Sequence, residues 1–240
     1  MTVTQGKKYE LIADQSIRIA DQELFRIRAL VDIGEHVKAG DEGGYIESEK
    51  NLIQDGAAWI ADDAMVYGDA KIMDDAMVYS GAVVSGHAVV SGCAQVHDHA
   101  SVCDHAVVTG HAHVVGDSKV YGSARVSGGA KVVSGAKVFG DAEVFGNAVL
   151  SGDTRVGDNA QVSGAGTLVT VSNIGGSQIT ATFFACADGM IRVRSDRGFH
   201  GTIDAFKMYA SRYFRDTGHD VAYMAAADYA RCVLDARATR

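Results

Sequence analysis

Residues 82–114 read AVVSGHAVVSGCAQVHDHASVCDHAVVTGHAHV, and the spacing of their valines decides the fold. Val84, Val90, Val96, Val102, Val108 and Val114 fall six residues apart, and Ala88, Ala94, Ala100, Ala106 and Ala112 each follow one of them by four. Between them lie pairs such as Gly86-His87, types that accept left-handed or tight-turn backbone. Outward in both directions the pattern continues without a miss. An aliphatic residue recurs every sixth position from Ile60 to Leu168, nineteen times in all. The small position runs from Ala64 to Ala160, with Ser118, Thr154 and Gly166 as the variants. Further turn pairs are Gly68-Asp69, Asp74-Asp75 and Gly146-Asn147. A helix turns once in about 3.6 residues, so positions six apart would spiral around it. A short strand that points its central aliphatic inward, followed by a bend, accounts for the period. Three such edges close a triangular coil of eighteen residues. Stacked coils then pair as parallel sheets about 4.8 Å apart, and six of them make a rod roughly 30 Å long.

In this pattern the chain resembles the hexapeptide-repeat proteins, which implies a left-handed parallel β-helix over residues 57–169. The flanks narrow the likeness. Leu24–Leu30, the run Val37–Leu52 with Gly43-Gly44-Tyr45-Ile46, Trp59, and Gly198–Phe206 are similar to one bacterial and phage family. Its members are often labelled acyltransferase or polymer-forming protein. The resemblance implies a homo-oligomer, with a trimer the first expectation. In phage-borne relatives it suggests the binding and blocking of a host factor or defence protein.

The composition agrees with a rod of repeated bends. Of 240 residues 28 are Gly and none is Pro, which excludes collagen-like chains and Pro-rich linkers. The net charge of −8 argues against a general nucleic-acid or anionic-membrane binder. Cys93, Cys103, Cys186 and Cys232 show no C-x-x-C spacing, and no apolar run approaches the roughly 18 residues of a membrane span. The expectation is a cytoplasmic protein with free thiols.

Residues 1–56 are expected to form an N-terminal β capping module, since a solenoid's first coil exposes unpaired strand edges. Tyr9–Ile12, Ile17–Ile19, Phe25–Leu30 and Tyr45–Ile46 read as its strands. The β-helix is expected over 57–171 and a C-terminal ββαα domain over 172–240. In that domain Ser172–Ser177 reads as a linker, and Ile179–Cys186 and Met190–Arg194 as a hairpin. Thr202 is a good N-cap for a helix through about Asp216, and Asp220 for a second through Arg237. Phe206, Tyr209, Tyr213, Phe214, Tyr223 and Tyr229 can supply a core or a partner-binding surface.

An acyltransferase of this fold needs a general base in a cleft that excludes water. The hexads run with no insertion loop, so an active site could form only between subunits; no catalytic residue and no cofactor is expected. Six of nine histidines lie between positions 87 and 113. At eighteen residues per coil His87 stacks under His105, and His111 over Cys93. Turn chemistry is the ordinary explanation; metal ligation by His87, His105 and His111 and a pH-sensitive surface are the alternatives. Lys119, Arg125, Lys131, Lys137 and Arg155 spread over all three faces, offset by Asp117, Asp141 and Glu143, and read as a solvated surface. Asp62, Asp63, Asp69, Asp74 and Asp75 suggest an acidic DNA mimic, but later corners are mostly Gly, His or Ser, so the charge is not sustained.

One face is the most apolar. It carries Met77, Tyr79, Val115, Val133 and Val149, and eight of its fourteen outward residues are apolar. Such a face on a rod is expected to be the oligomer interface. The leading expectation is thus a non-enzymatic binding or assembly module that joins itself and an unidentified protein partner, with no membrane partner and nucleic acid not favoured; an acyltransferase with an intersubunit active site and an acidic DNA mimic are the alternatives.

Overall fold

A computed structural model describes residues 6–164 and 166–238; residues 1–5 of the expected capping module lie outside it. The fold is mainly β: a parallel solenoid, an N-terminal antiparallel addition, and a C-terminal antiparallel sheet with two helices. Eighteen two-residue strands, from β4 (Trp59–Ile60) to β21 (Gln161–Val162), follow one another every six residues. They stack into three parallel sheets, each strand pairing with the one eighteen residues on, as in Val83↔Ser101 and Val89↔Val107. Every inward aliphatic from Ile60 to Val162 is at most 1% exposed, and so are the alanines at the small position. Ser118 and Thr154 stand there with their hydroxyls donated to the carbonyls of Val115 and Ser151, which satisfies a polar atom inside an apolar column.

The corners explain the glycines. The first residue of each of the eighteen bends, from Asp62 to Gly164, has positive φ and is Gly, Asp or Ser. Proline, fixed near φ −65°, cannot occupy that position. The stacking is also tight: a Cβ on Gly92 would stand 2.8 Å from the amide nitrogen of Gly110 in the next coil.

The first turn begins before Ile60. β1 (Tyr9–Ile19) and β2 (Gln22–Ala29) form a hairpin, and β2 pairs with β3 (Glu42–Ile46). β1 is one continuous strand with an irregularity between Ile12 and Ser16 rather than two separate strands. β3 then pairs in parallel with Met65–Val66, and Leu52 with Ile72, so Ile46 and Leu52 already take inward positions. Two extra residues between Leu52 and Ile60 stretch these pairings to twenty residues. Lys8 holds that longer corner, donating from Nζ to the carbonyls of Asp55, Gly56 and Ala58 at 3.1–3.3 Å. Gly43 and Gly44 let β3 lie against the coil: a Cβ on either would stand 2.5 Å from a carbonyl oxygen, of Ile60 or of Ala64.

At the other end the nineteenth position departs from the pattern. Leu168 opens β22 (Leu168–Ile174), which pairs antiparallel with β23 (Ile179–Ala185), and the sheet continues through β24 (Ile191–Ser195) and β25 (His200–Thr202). The expected linker at Ser172–Ser177 is therefore strand as far as Ile174, and the unit has four strands rather than two. α1 (Ile203–Tyr213) starts at Thr202, whose hydroxyl accepts from the Ala205 amide, and ends earlier than Asp216. α2 (Asp220–Ala238) packs beside it. β23 is buried on both faces: Phe184 and Cys186 join the core of the rod, while Phe183 packs with Val193, Phe206 and Tyr223 in a second core.

Candidate functional site

The acidic corners are engaged in the turns. Asp62, Asp74 and Asp104, each at positive φ, accept the backbone N–H of Ser80, Gly92 and Gly122, the residue eighteen positions on. Asp63 faces Arg26 and Asp69 faces Lys50. Lys50 and a second cation-capable neighbour, His87, hold the Asp69 carboxyl below its ordinary range. Part of this acidic row is thus given to turn hydrogen bonds and ion pairs.

His87 and His105 stack as their spacing requires, with ring centroids 4.8 Å apart and planes within 2°. His87 Nδ1 lies 3.5 Å from Asp69. Parallel rings carry their nitrogen lone pairs side by side in separate planes, so they do not aim at one point. His111 stands on another corner, and among the described residues no three His, Cys, Asp or Glu side chains form a metal-holding group. His113 sits half-buried on a strand between Gln95 and Lys131. Burial, then Lys131, His97 and His111, push its pKa down.

The apolar face is shorter than its sequence suggests. Trp59 at its start is buried under the N-terminal module, 2% exposed, and Val169 at its end turns into the C-terminal core. Between them Met77 lines a small hollow together with the loop Ile33–Val37. Tyr79 stacks on His97 with centroids 4.5 Å apart, and burial raises its phenol pKa. Val115 and Val133 are half-buried by their stack neighbours, while Val149 is 59% exposed.

A different face brings three cations together. Lys119 stands directly beside Lys137, and Lys137 beside Arg155, in three successive turns. Of the six Lys and Arg on the rod these three share one sheet, a concentration that spacing by eighteen reveals and a count over all faces hides. Tyr121 and Phe139 form the neighbouring column, stacked at 5.3 Å. Arg194 of β24 adds a guanidinium from the C-terminal unit, 5.0 Å from the Phe139 centroid and paired with Asp158 at 2.5 Å. Arg194 has no repeat position and no sequence signal of its own.

The C-terminal unit divides its aromatics. Phe206 and Tyr223 are buried, Phe214 stacks on Tyr223 at 4.6 Å, and Tyr209 is half-buried. Tyr213 and Tyr229 remain about 60% exposed, beside Met208 at 73%. Lys207, Met208, Tyr209, Arg212, Tyr213 and Met224 line a shallow hollow on this side. No described helix is long and apolar enough to cross a membrane. Compared with known protein families and with curated proteins, the chain matches none.

Proposed function

We propose that the chain is a non-enzymatic binding and assembly module: a homo-oligomeric rod whose C-terminal unit meets a protein partner. The observation that carries this reading is where large apolar side chains remain uncovered. Met190, Met208, Tyr213, Val221 and Tyr229 of the C-terminal unit are 47–73% exposed. On the rod Val149 and Phe145, and on the N-terminal module Leu30 and Val31, are the exposed counterparts. Uncovered apolar groups gathered on one unit mark contact surfaces more often than chance exposure does. The rod supplies length and rigidity, since each coil is held by backbone hydrogen bonds to the next. The strip from Met77 and Tyr79 through Val115 and Val133 to Val149 supplies the contact between copies.

Light scattering tests the assembly. The wild-type chain is expected to give a multiple of 25.2 kDa, three-fold if it is the trimer that the family resemblance implies. Val115→Glu with Val133→Glu should reduce the mass to one chain with the β-rich circular dichroism intact, because a charge buried without a partner at an interface cannot be resolvated. Met208→Glu with Tyr213→Glu should leave the mass unchanged. A monomeric wild-type protein, or an unchanged mass for the Val115/Val133 variant, contradicts this interface.

A further inference from the structure

Neighbouring coils place side chains about 4.8 Å apart, and like charges directly opposite one another destabilise a sheet. On one face the rod obeys this rule, setting Arg125 beside Glu143. On another it breaks it twice in succession, with Lys119 beside Lys137 and Lys137 beside Arg155. Among the described residues none of these three cations forms an ion pair, although Arg192 and Arg194 nearby are paired with Asp188 and Asp158.

A second, independent feature lies at the end of the ladder. The Nε atoms of Arg155 and Arg194 are both buried and neither has a hydrogen-bond partner. An unmet guanidinium donor shut away from water costs free energy. Phe139 covers this region, its ring lying over Gly157, where a Cβ would stand 2.4 Å from it. Beside the ladder is a hollow of about 270 Å³ lined by Asp117, Lys119, Gly135, Lys137, Asp153 and Arg155.

We propose that the ladder of Lys119, Lys137 and Arg155 is a binding site for a compact, multiply charged oxyanion of the di- or triphosphate class. The stacked cations are a cost in the free protein and an asset against such a ligand. Three cations in a row suit several charges on one short ligand. Asp117 and Asp153 lie along the same hollow and offset part of its positive charge. The rest of the molecule selects in the same direction. Residues 1–117 hold eight Lys and Arg against nineteen Asp and Glu, while residues 118–240 hold fourteen against eleven. A long polyanion laid along the rod would run into the acidic half; a short one at the ladder would not. This inference does not depend on the oligomer interface, which lies on another face.

Calorimetric titration of the full-length chain with pyrophosphate at low salt tests it, with inorganic phosphate and a single-stranded oligonucleotide as the other arms. Saturable pyrophosphate binding is expected, weaker for phosphate. Lys119→Gln with Lys137→Gln should weaken it at least about tenfold, the order of a lost charge-assisted contact. Both lysines point outward from their strands, so folding should survive. The same variant should melt at a higher temperature than the ligand-free wild type, because it relieves the like-charge stack. No saturable pyrophosphate binding, equal binding by the variant, or tighter binding of the oligonucleotide would each overturn the proposal.

Discussion

The N-terminal end of the rod is closed by strands that belong to the rod's own sheet, while the C-terminal end is closed by a sheet that has a core of its own. β1, β2 and β3 extend one face of the solenoid into a nine-stranded sheet, and Tyr9, Ile27 and Ile46 share the continuous column of inward aliphatics. Tyr9 donates its hydroxyl to the carbonyl of Leu52 at 2.7 Å, which ties the first strand to the first turn. At the other end the contact is made by side chains, a short antiparallel bridge between Ala160 and Cys186, and two hydrogen bonds. The Thr182 hydroxyl accepts the Arg155 amide, and the Ala187 amide donates to the Asn159 carbonyl. Phe183 and Phe184, adjacent on one strand, point into different cores. One cap is thus part of the rod's cooperative unit; the other is a neighbour docked on it.

The largest separation of the two ends should come from Phe206→Ala. Phe206 is fully buried in the second core, in contact with Phe183, Phe199 and Tyr223. Its truncation is expected to cost about 3–5 kcal/mol. Because that core is separate, the helical circular dichroism should melt early while the β signal of the rod keeps its wild-type midpoint. A single transition shifted as a whole would mean that the two cores unfold together.

A smaller effect is expected at the N-terminal end, and it depends on pH. Burial pushes the Lys8 ammonium down to about 8 against the pull of Asp55 and Asp75. Between that pH and the ordinary lysine value the unfolded chain holds a proton that the folded chain has released. Stability therefore rises with pH across this window, and below it the contribution is flat. Tyr9 acts in the opposite sense. Burial, with Glu49 beside it, raises its phenol pKa, so the folded chain keeps a proton that the unfolded chain loses above about 10, and stability falls there. Thermal midpoints of wild type and Lys8→Met, compared from pH 7 to 10, should diverge upward for the wild type above about 8. Parallel curves would show that Lys8 does not titrate in this range.

The period of six made the rod legible because every inward position answers to the same geometric demand. Its first turn was hidden by two residues: the longer corner between Leu52 and Ile60 takes Ile46 and Leu52 out of phase. Its end was hidden for the opposite reason, since Leu168 keeps the phase but leaves the stack to pair with Phe184. The strand through Ser172–Ile174 was obscured by Gly, Ser and Asn, whose local preference for turns yields here to pairing with β23. Of the cation ladder, Lys119, Lys137 and Arg155 could be read from their spacing, whereas Arg194 arrives from a distant strand and only the docked sheet brings it there.

Hydrogen exchange followed by mass spectrometry on the intact chain tests the difference between the two ends most directly. If the N-terminal strands belong to the rod, peptides covering residues 9–12 and 24–29 should exchange in the same slow class as those covering 84–150. Peptides from the C-terminal core, 179–195 and 203–234, should form a separate and faster class. Early exchange of the N-terminal strands, or one shared rate for the rod and the C-terminal unit, would contradict the account.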